Sequence, residues 1–253
     1  MSADFPLIYC NGDSYTDERY HGSLKGAIYV NTVAEHLGGF AINNGINGSC
    51  NRRIIRSSMH DLLLQRQHNP NQRIIALIGL SFEIRGEMWD NDRIPETEQE
   101  SQFLTHKFFS KNENWFDELL SVAKQKDNSF FDKYTHGRAY YYSPYAERIN
   151  LLCDCVMFQS LMESLNIEFL MFQSPKAEKL ETEYLLDFFK SQLKPKNFFD
   201  FETFGFANWC NQQGFGSLDL HVVPELRHPD ANGHRAFAEQ ILLPRIKENE
   251  RRH

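Results

Sequence analysis

Within its first third the sequence runs three times through one order: an apolar stretch, a loop of small polar residues, then an amphipathic stretch. Leu7-Ile8-Tyr9-Cys10 leads into Asn11-Gly12-Asp13-Ser14. Ala27, Ile28, Val30, Val33, Ala34 and Leu37 then recur at helical spacing over 26–37, and Gly38-Gly39 offers a C-terminal cap. The second pass is a short strand at 40–43, the loop Asn44-Gly45-Ile46-Asn47-Gly48-Ser49-Cys50 and a helix from about 51 to 67. The third begins with 73–79, which after Arg73 is an unbroken apolar run of the kind buried on both faces of a sheet, and opens into Leu80-Ser81-Phe82-Glu83-Ile84-Arg85. A helix between two strands returns the chain to the same edge, so this order predicts a parallel α/β sheet. Its loops gather at the carboxyl ends of the strands, where such sheets handle ligands.

The pattern loosens between about 86 and 144, which carries Trp89, a polar run over 90–102, Trp115 and Tyr140-Tyr141-Tyr142. This stretch reads as a helical and aromatic insertion folded over the sheet edge, within a single domain spanning 1–253. Regular spacing then predicts a helix over 145–165, a strand over 167–172, and a helix over 179–193 with Leu180, Tyr184, Leu185 and Phe188 as its apolar stripe. The pieces 198–201 and 204–210 are apolar but of unassigned type, and a terminal helix is expected over 236–246. A chain of 253 residues with 41% hydrophobic content suits one α/β domain. Its 21 Phe, 10 Tyr and 3 Trp are enough to line a broad cleft as well as a core.

A net charge of -7 argues against a nucleic-acid partner, which would draw on clustered Lys and Arg. The first six residues lack a basic start, and no stretch approaches the roughly twenty apolar residues of a membrane span. A soluble, cytoplasmic chain without a membrane partner is expected. The five cysteines are read as reduced packing residues, with Cys10 and Cys50 close enough to the reactive loops to be sensitive to alkylation. No metal-ligand cluster or phosphate-cradling glycine loop emerges, so neither metal nor cofactor is expected.

The first loop exposes a serine, Ser14, though Asn11 to Ser14 could equally be a helix-capping turn. A serine hydroxyl needs a base to attack a carbonyl, usually histidine held by a carboxylate. Glu225-Leu226-Arg227-His228-Pro229 offers both, the carboxylate three residues before the imidazole. Asp219 and Asp230 are further candidate partners for His228, and Asp230 is better read as the cap of the terminal helix. His221 and His234 read as structural. No Gly-x-Ser-x-Gly elbow is present.

With these blocks in order the chain resembles the SGNH hydrolases, the GDSL-like esterases. Gly12-Asp13-Ser14 is similar to the nucleophile block. Gly48 in Asn44-Gly45-Ile46-Asn47-Gly48-Ser49 is similar to the second block, Gly79-Leu80-Ser81-Phe82 stands where Gly-x-Asn-Asp is expected, and Glu225-x-x-His228-Pro229 stands where Asp-x-x-His is expected. The resemblance implies a three-layer, flavodoxin-like sandwich with a central parallel sheet flanked by helices. It also implies a serine esterase with Ser14, His228 and Glu225 catalytic and with Ser14, Gly48 and Ser81 around the oxyanion. Asp13, Asn47 and Arg85 are the candidates for binding substrate; Asn11 and Arg52, like Asn47 and Arg85, lie on or near the strand-end loops and could orient it, although the default reading of these four is loop satisfaction or surface charge. Two departures are that Ser81 replaces an asparagine and Glu225 an aspartate. The expected substrate is a small-molecule or glycan ester, an O-acetyl group on a carbohydrate among them. The alternatives are a degenerate member that binds a carbohydrate or acylated ligand without turnover, and an O-acyltransferase using the same serine.

Overall fold

Leu7–Asn11 forms β1 and is buried at all five positions. A strand wet on neither face needs cover on both, and the computed structural model supplies it. The structure describes residues 5–19, 24–82, 85–86, 106–107, 143–177, 179–181, 184–218 and 227–251.

Four strands, β1, β2 (Phe40–Asn43), β3 (Ile74–Leu80) and β6 (Glu168–Gln173), make one parallel sheet in the order β2-β1-β3-β6. The register sets Tyr9 beside Ile42 and Ala76, and Ala76 beside Phe169. Alternation along the strands splits the apolar side chains between two faces. Ile8, Cys10, Ile75, Leu77, Leu170 and Phe172 pack on one side with Val30 and Val33 of helix α1 (Tyr29–His36). Leu7, Tyr9, Ala76, Ile78, Phe169 and Met171 pack on the other with α2 (Asn51–His68) and α3 (Pro144–Ser164). The result is a three-layer α/β sandwich. The outer edge of β6 is not bare: Met171 N donates to Asn197 O at 2.9 Å and Phe199 N to Met171 O at 3.0 Å.

Several elements depart from the sequence reading. Helix α1 starts at Tyr29 rather than at 26, because Gly26 adopts φ 74° and Ile28 is still extended. It ends as expected, with Gly38 at φ 64° and Gly39 N donating to Ala34 O at 2.8 Å. Helix α4 is Tyr184–Gln192, and it turns a different stripe inward: Leu186 is buried with Phe189 against the core, while Tyr184, Leu185 and Phe188 are exposed. The sequence carries two apolar stripes there, and Leu186, Phe189 and Leu193, also at helical spacing, won the core. The unassigned piece near 204–210 is helix α5 (Phe206–Gln212).

The terminal helix begins five residues early, at Ala231, because Asp230 accepts from Gly233 N at 2.9 Å and caps it. Helix α6 (Ala231–Phe237) passes through a π turn (Ala238–Leu242) into α7 (Leu243–Glu250). Pro244 has no N–H to give, and Leu243 N bonds to Ala238 O, five residues back. The predicted insertion at 86–144 lies outside the described residues except for the two-residue strands β4 (Arg85–Gly86) and β5 (His106–Lys107), which pair antiparallel, and residues 143–144. No described helix is long and apolar enough to cross a membrane.

Candidate active site

The carboxyl edge of the sheet is made of three loops tied to one another by buried polar side chains. At the end of β1, Asn11 is fully buried; its amide nitrogen lies 2.8 Å from Ser57 Oγ and 3.0 Å from Ser58 Oγ, and its oxygen accepts from Gly12 N at 2.8 Å. Gly12 must be glycine, since a Cβ there would fall 2.3 Å from Thr16 Oγ1 and 2.9 Å from Gly79 O. The chain then turns tightly, with Asp13 O accepting from Thr16 N and Asp17 N, both at 2.9 Å. This turn lifts Ser14 off the strand.

Ser14 is 5% exposed. His228 Nε2 lies 2.8 Å from its Oγ, a contact between residues 214 positions apart. His228 is itself fixed: its carbonyl accepts from Leu218 N at 2.9 Å, and the next residue, Pro229, bridges to Ser217. The imidazole also stacks on the ring of Tyr15, centroids 4.3 Å apart and planes 24° from parallel. Asp230, weighed as a partner for His228, faces the helix it caps. Glu225, Asp219 and His221 lie outside the described residues.

The second loop runs alongside the first. Asn44 N donates to Cys10 O at 2.9 Å, Ile46 N to Gly12 O at 3.0 Å and Asn47 N to Asp17 Oδ2 at 2.9 Å. Arg19 pairs with Asp17 at 2.9 Å and donates to Gly45 O at 2.9 Å, which closes the seam. Gly45 packs so closely on Thr16 that a Cβ would sit 2.9 Å from it, and Gly48 holds φ 82°, in the left-handed region. Asn47 is exposed beside Gly48.

The third loop differs most from expectation. Ser81 is fully buried and its hydroxyl donates to Asp13 Oδ2 at 2.7 Å, so its one proton is committed to a carboxylate. Asp13 is likewise fully buried, with Oδ1 accepting from Tyr15 N at 3.1 Å. Through these two bonds its carboxylate ties the serine turn to the third loop. Asn51, at the start of α2, clamps the Ser81 peptide from both sides: its oxygen accepts from Ser81 N at 2.7 Å and its nitrogen donates to Ser81 O at 3.1 Å. Gln173, at the end of β6, donates to the same carbonyl at 2.6 Å. The side chain of Arg85 is outside the described residues, while Arg52 is exposed on α2.

Behind the loops, Tyr9 donates to Asp61 Oδ2 at 2.8 Å, and Asn44 Nδ2 reaches the same oxygen at 2.7 Å. Burial, with the Asp61 charge beside it, pushes the Tyr9 phenol well above its ordinary range, and burial does the same for Tyr29, so both stay neutral hydrogen-bonding groups. Burial, helped by Glu18, also raises the Cys10 thiol. Cys10 and Cys50 are both closed to solvent, which corrects the expectation that alkylating reagents would find them.

No protein-family model and no curated protein matches the chain. Among solved structures it is similar to a member of the lipolytic protein G-D-S-L family from Veillonella parvula DSM 2008, at 13% identity over 94% of this chain and 97% of that one, with a TM-score of 0.44. It is also similar to the psychrotrophic esterase EstA from Pseudoalteromonas sp., in a structure inhibited by monoethylphosphonate, at 11% identity over 96% and 97% of the two chains, with a TM-score of 0.45.

Proposed function

We propose that this chain is a serine hydrolase that cleaves ester bonds by acyl transfer through Ser14. The observation that carries the reading is the 2.8 Å contact between His228 Nε2 and Ser14 Oγ. A hydroxyl at neutral pH becomes a competent nucleophile only as a base takes its proton, and this imidazole is within reach to do so. In the first half-reaction Oγ bonds to the ester carbonyl carbon, its proton passes to His228, and the carbonyl electrons move onto oxygen. The backbone N–H groups of Ser14 and Gly48 receive that oxyanion. Collapse breaks the bond to the alcohol, which leaves with the proton from His228. Water then repeats the sequence on the acyl-serine and frees the acid. Glu225 is assigned the part of orienting the imidazole.

Ser81 is read here as a support for Asp13, so the oxyanion site has two backbone donors rather than three. A missing donor lowers turnover about a hundredfold or more relative to a fully furnished site. The recessed position of Ser14, 5% exposed, favours a small acyl group such as acetyl, carried on a small molecule or a glycan. Asn47, exposed next to Gly48, and Arg85 are assigned to the alcohol portion.

The test is labelling by a fluorophosphonate probe together with hydrolysis of p-nitrophenyl acetate, wild type against Ser14→Ala. Labelling and turnover in the wild type, both lost in the variant, are expected; equal hydrolysis by the two proteins removes Ser14 as nucleophile. The commitment of the Ser81 hydroxyl to Asp13 favours a second reading, in which the protein binds an acylated ligand without turning it over. A wild type that binds O-acetylated sugar yet neither labels nor hydrolyses would establish that reading instead.

A further inference from the structure

We infer that Tyr15 is a positioning residue for the base: its ring fixes the plane of the His228 imidazole and stabilises the imidazolium that forms when Ser14 gives up its proton. The inference rests on the acyl-transfer reading above. Its geometry is independent of it.

Consecutive residues grip the same imidazole at two places. Ser14 Oγ lies 2.8 Å from Nε2 in the ring edge, and the Tyr15 ring lies under the ring face with centroids 4.3 Å apart and planes 24° from parallel. The plate is rigid. Tyr15 is 2% exposed, belongs to the core beneath α1, and has its backbone N–H held by Asp13 Oδ1 at 3.1 Å. The other oxygen of that carboxylate takes the Ser81 hydroxyl at 2.7 Å, so the turn carrying both residues is anchored to β3 as well as to β1. On the opposite side, Leu218 N holds the His228 carbonyl at 2.9 Å and Asp230 N bonds Gly216 O at 3.0 Å. With its backbone so fixed, the imidazole keeps little freedom except rotation about its own side-chain bonds. A flat ring against its face removes the rotations that would swing Nε2 away from Oγ.

The stack also bears on charge. An aromatic face presents the negative lobe of its quadrupole, and a cation against it is attracted where a neutral ring is much less so. His228 is neutral before the reaction and cationic once it holds the serine proton. The attraction therefore grows along the reaction coordinate, which places the effect in kcat and leaves KM alone. Substrate never touches Tyr15 in this account.

The quadrupole can be weakened without changing the shape of the ring. Full-length protein carrying Tyr15→Phe is compared with the same protein carrying 3,4,5-trifluorophenylalanine at position 15, using p-nitrophenyl acetate and the fluorophosphonate labelling rate, with Ser14→Ala as the blank. Tyr15→Phe is expected to stay within about threefold of wild type, and the trifluoro ring to be slower than Phe by about threefold to tenfold in kcat and in labelling, with KM unchanged. Tyr15→Leu, which removes the plate, should lose about thirtyfold or more. Equal rates for Phe and its trifluoro analogue overturn the inference, since shape alone then explains the ring, and so does a loss that appears in KM. A wild type that neither labels nor hydrolyses sinks the acyl-transfer reading itself, and this inference with it; an active wild type with indifferent Tyr15 variants sinks only the role of Tyr15.

Discussion

The two ends of the sheet hold polar residues in opposite ways. At the carboxyl edge Asn11, Asp13, Ser81, Asn51 and Gln173 are buried, and they bond to one another and to the loop backbones. At the amino edge Arg73 makes a fork with Glu168, at 2.7 and 3.0 Å, and reaches Glu250 at 2.5 Å, but all three side chains remain about a third exposed. Water can replace any partner at the amino edge. It cannot at the carboxyl edge, where a lost partner leaves a desolvated group. Rigid loops are therefore found at the end of the sheet that carries Ser14 and His228, and adjustable ion pairs at the other end.

The largest break in this contrast comes from the pair to which the proposed acyl transfer assigns the chemistry. Ser14→Ala or His228→Ala should lower ester turnover by about a thousandfold or more, and Ser14→Ala should leave the thermal midpoint close to wild type, because it removes one hydroxyl and little packing. Steady-state kinetics beside a melting curve reads both. The next largest is Asn11→Ala. It removes the acceptor of Gly12 N and strips Ser57 and Ser58 of a donor inside a closed core, so a loss of about 2–4 kcal/mol in urea unfolding is expected, with turnover falling in parallel. An unchanged urea midpoint would show that the carboxyl edge is as forgiving as the amino edge.

Much of this organisation was legible in the sequence. The strands at 40–43 and 73–79 and the helix at 51–67 follow from apolar period and small-residue loops, and the structure places them within a residue or so. Ser14 and His228 stood out together, each weak alone, because a serine in a strand-end loop needs a base and the tail offers a histidine three residues after a carboxylate. Tyr15 did not stand out. An aromatic beside a serine reads as core, and only a partner more than two hundred positions away reveals what its face touches. Asn51 read as an ordinary helix start, and its clamp on Ser81 depends on a loop thirty residues on. Local pattern also could not choose between the two apolar stripes of α4, since the choice belongs to the surface it packs on.

Ser81→Ala sharpens the comparison within the carboxyl edge. If the hydroxyl serves as a brace, its loss removes a donor from the buried Asp13 carboxylate and lowers stability by about 1–3 kcal/mol, with turnover down about tenfold through a loosened serine turn. If it served instead as an oxyanion donor, kcat would fall about a hundredfold at unchanged stability. Measuring both quantities on one variant separates the two, and the bond to Asp13 predicts the first.

The smallest effect belongs to the amino edge. Glu168→Gln removes one arm of the fork, but Arg73 keeps Glu250, and solvent reaches every member of the cluster. Two long side chains give up rotamer freedom to hold the fork, which offsets much of their attraction in water. The expected cost is at most about 1 kcal/mol in urea unfolding, and it should shrink further in added salt because exposed charges are screened. Arg73 is held even further above its already high range by Glu168, so it stays charged at any pH where the protein folds, and the cost should not vary with pH through this arginine. Ester turnover should match wild type, since the cluster lies at the far end of the strands from Ser14. A loss comparable to that of Asn11→Ala would mean that the amino edge is held as tightly as the carboxyl edge, and burial would no longer be what distinguishes the two.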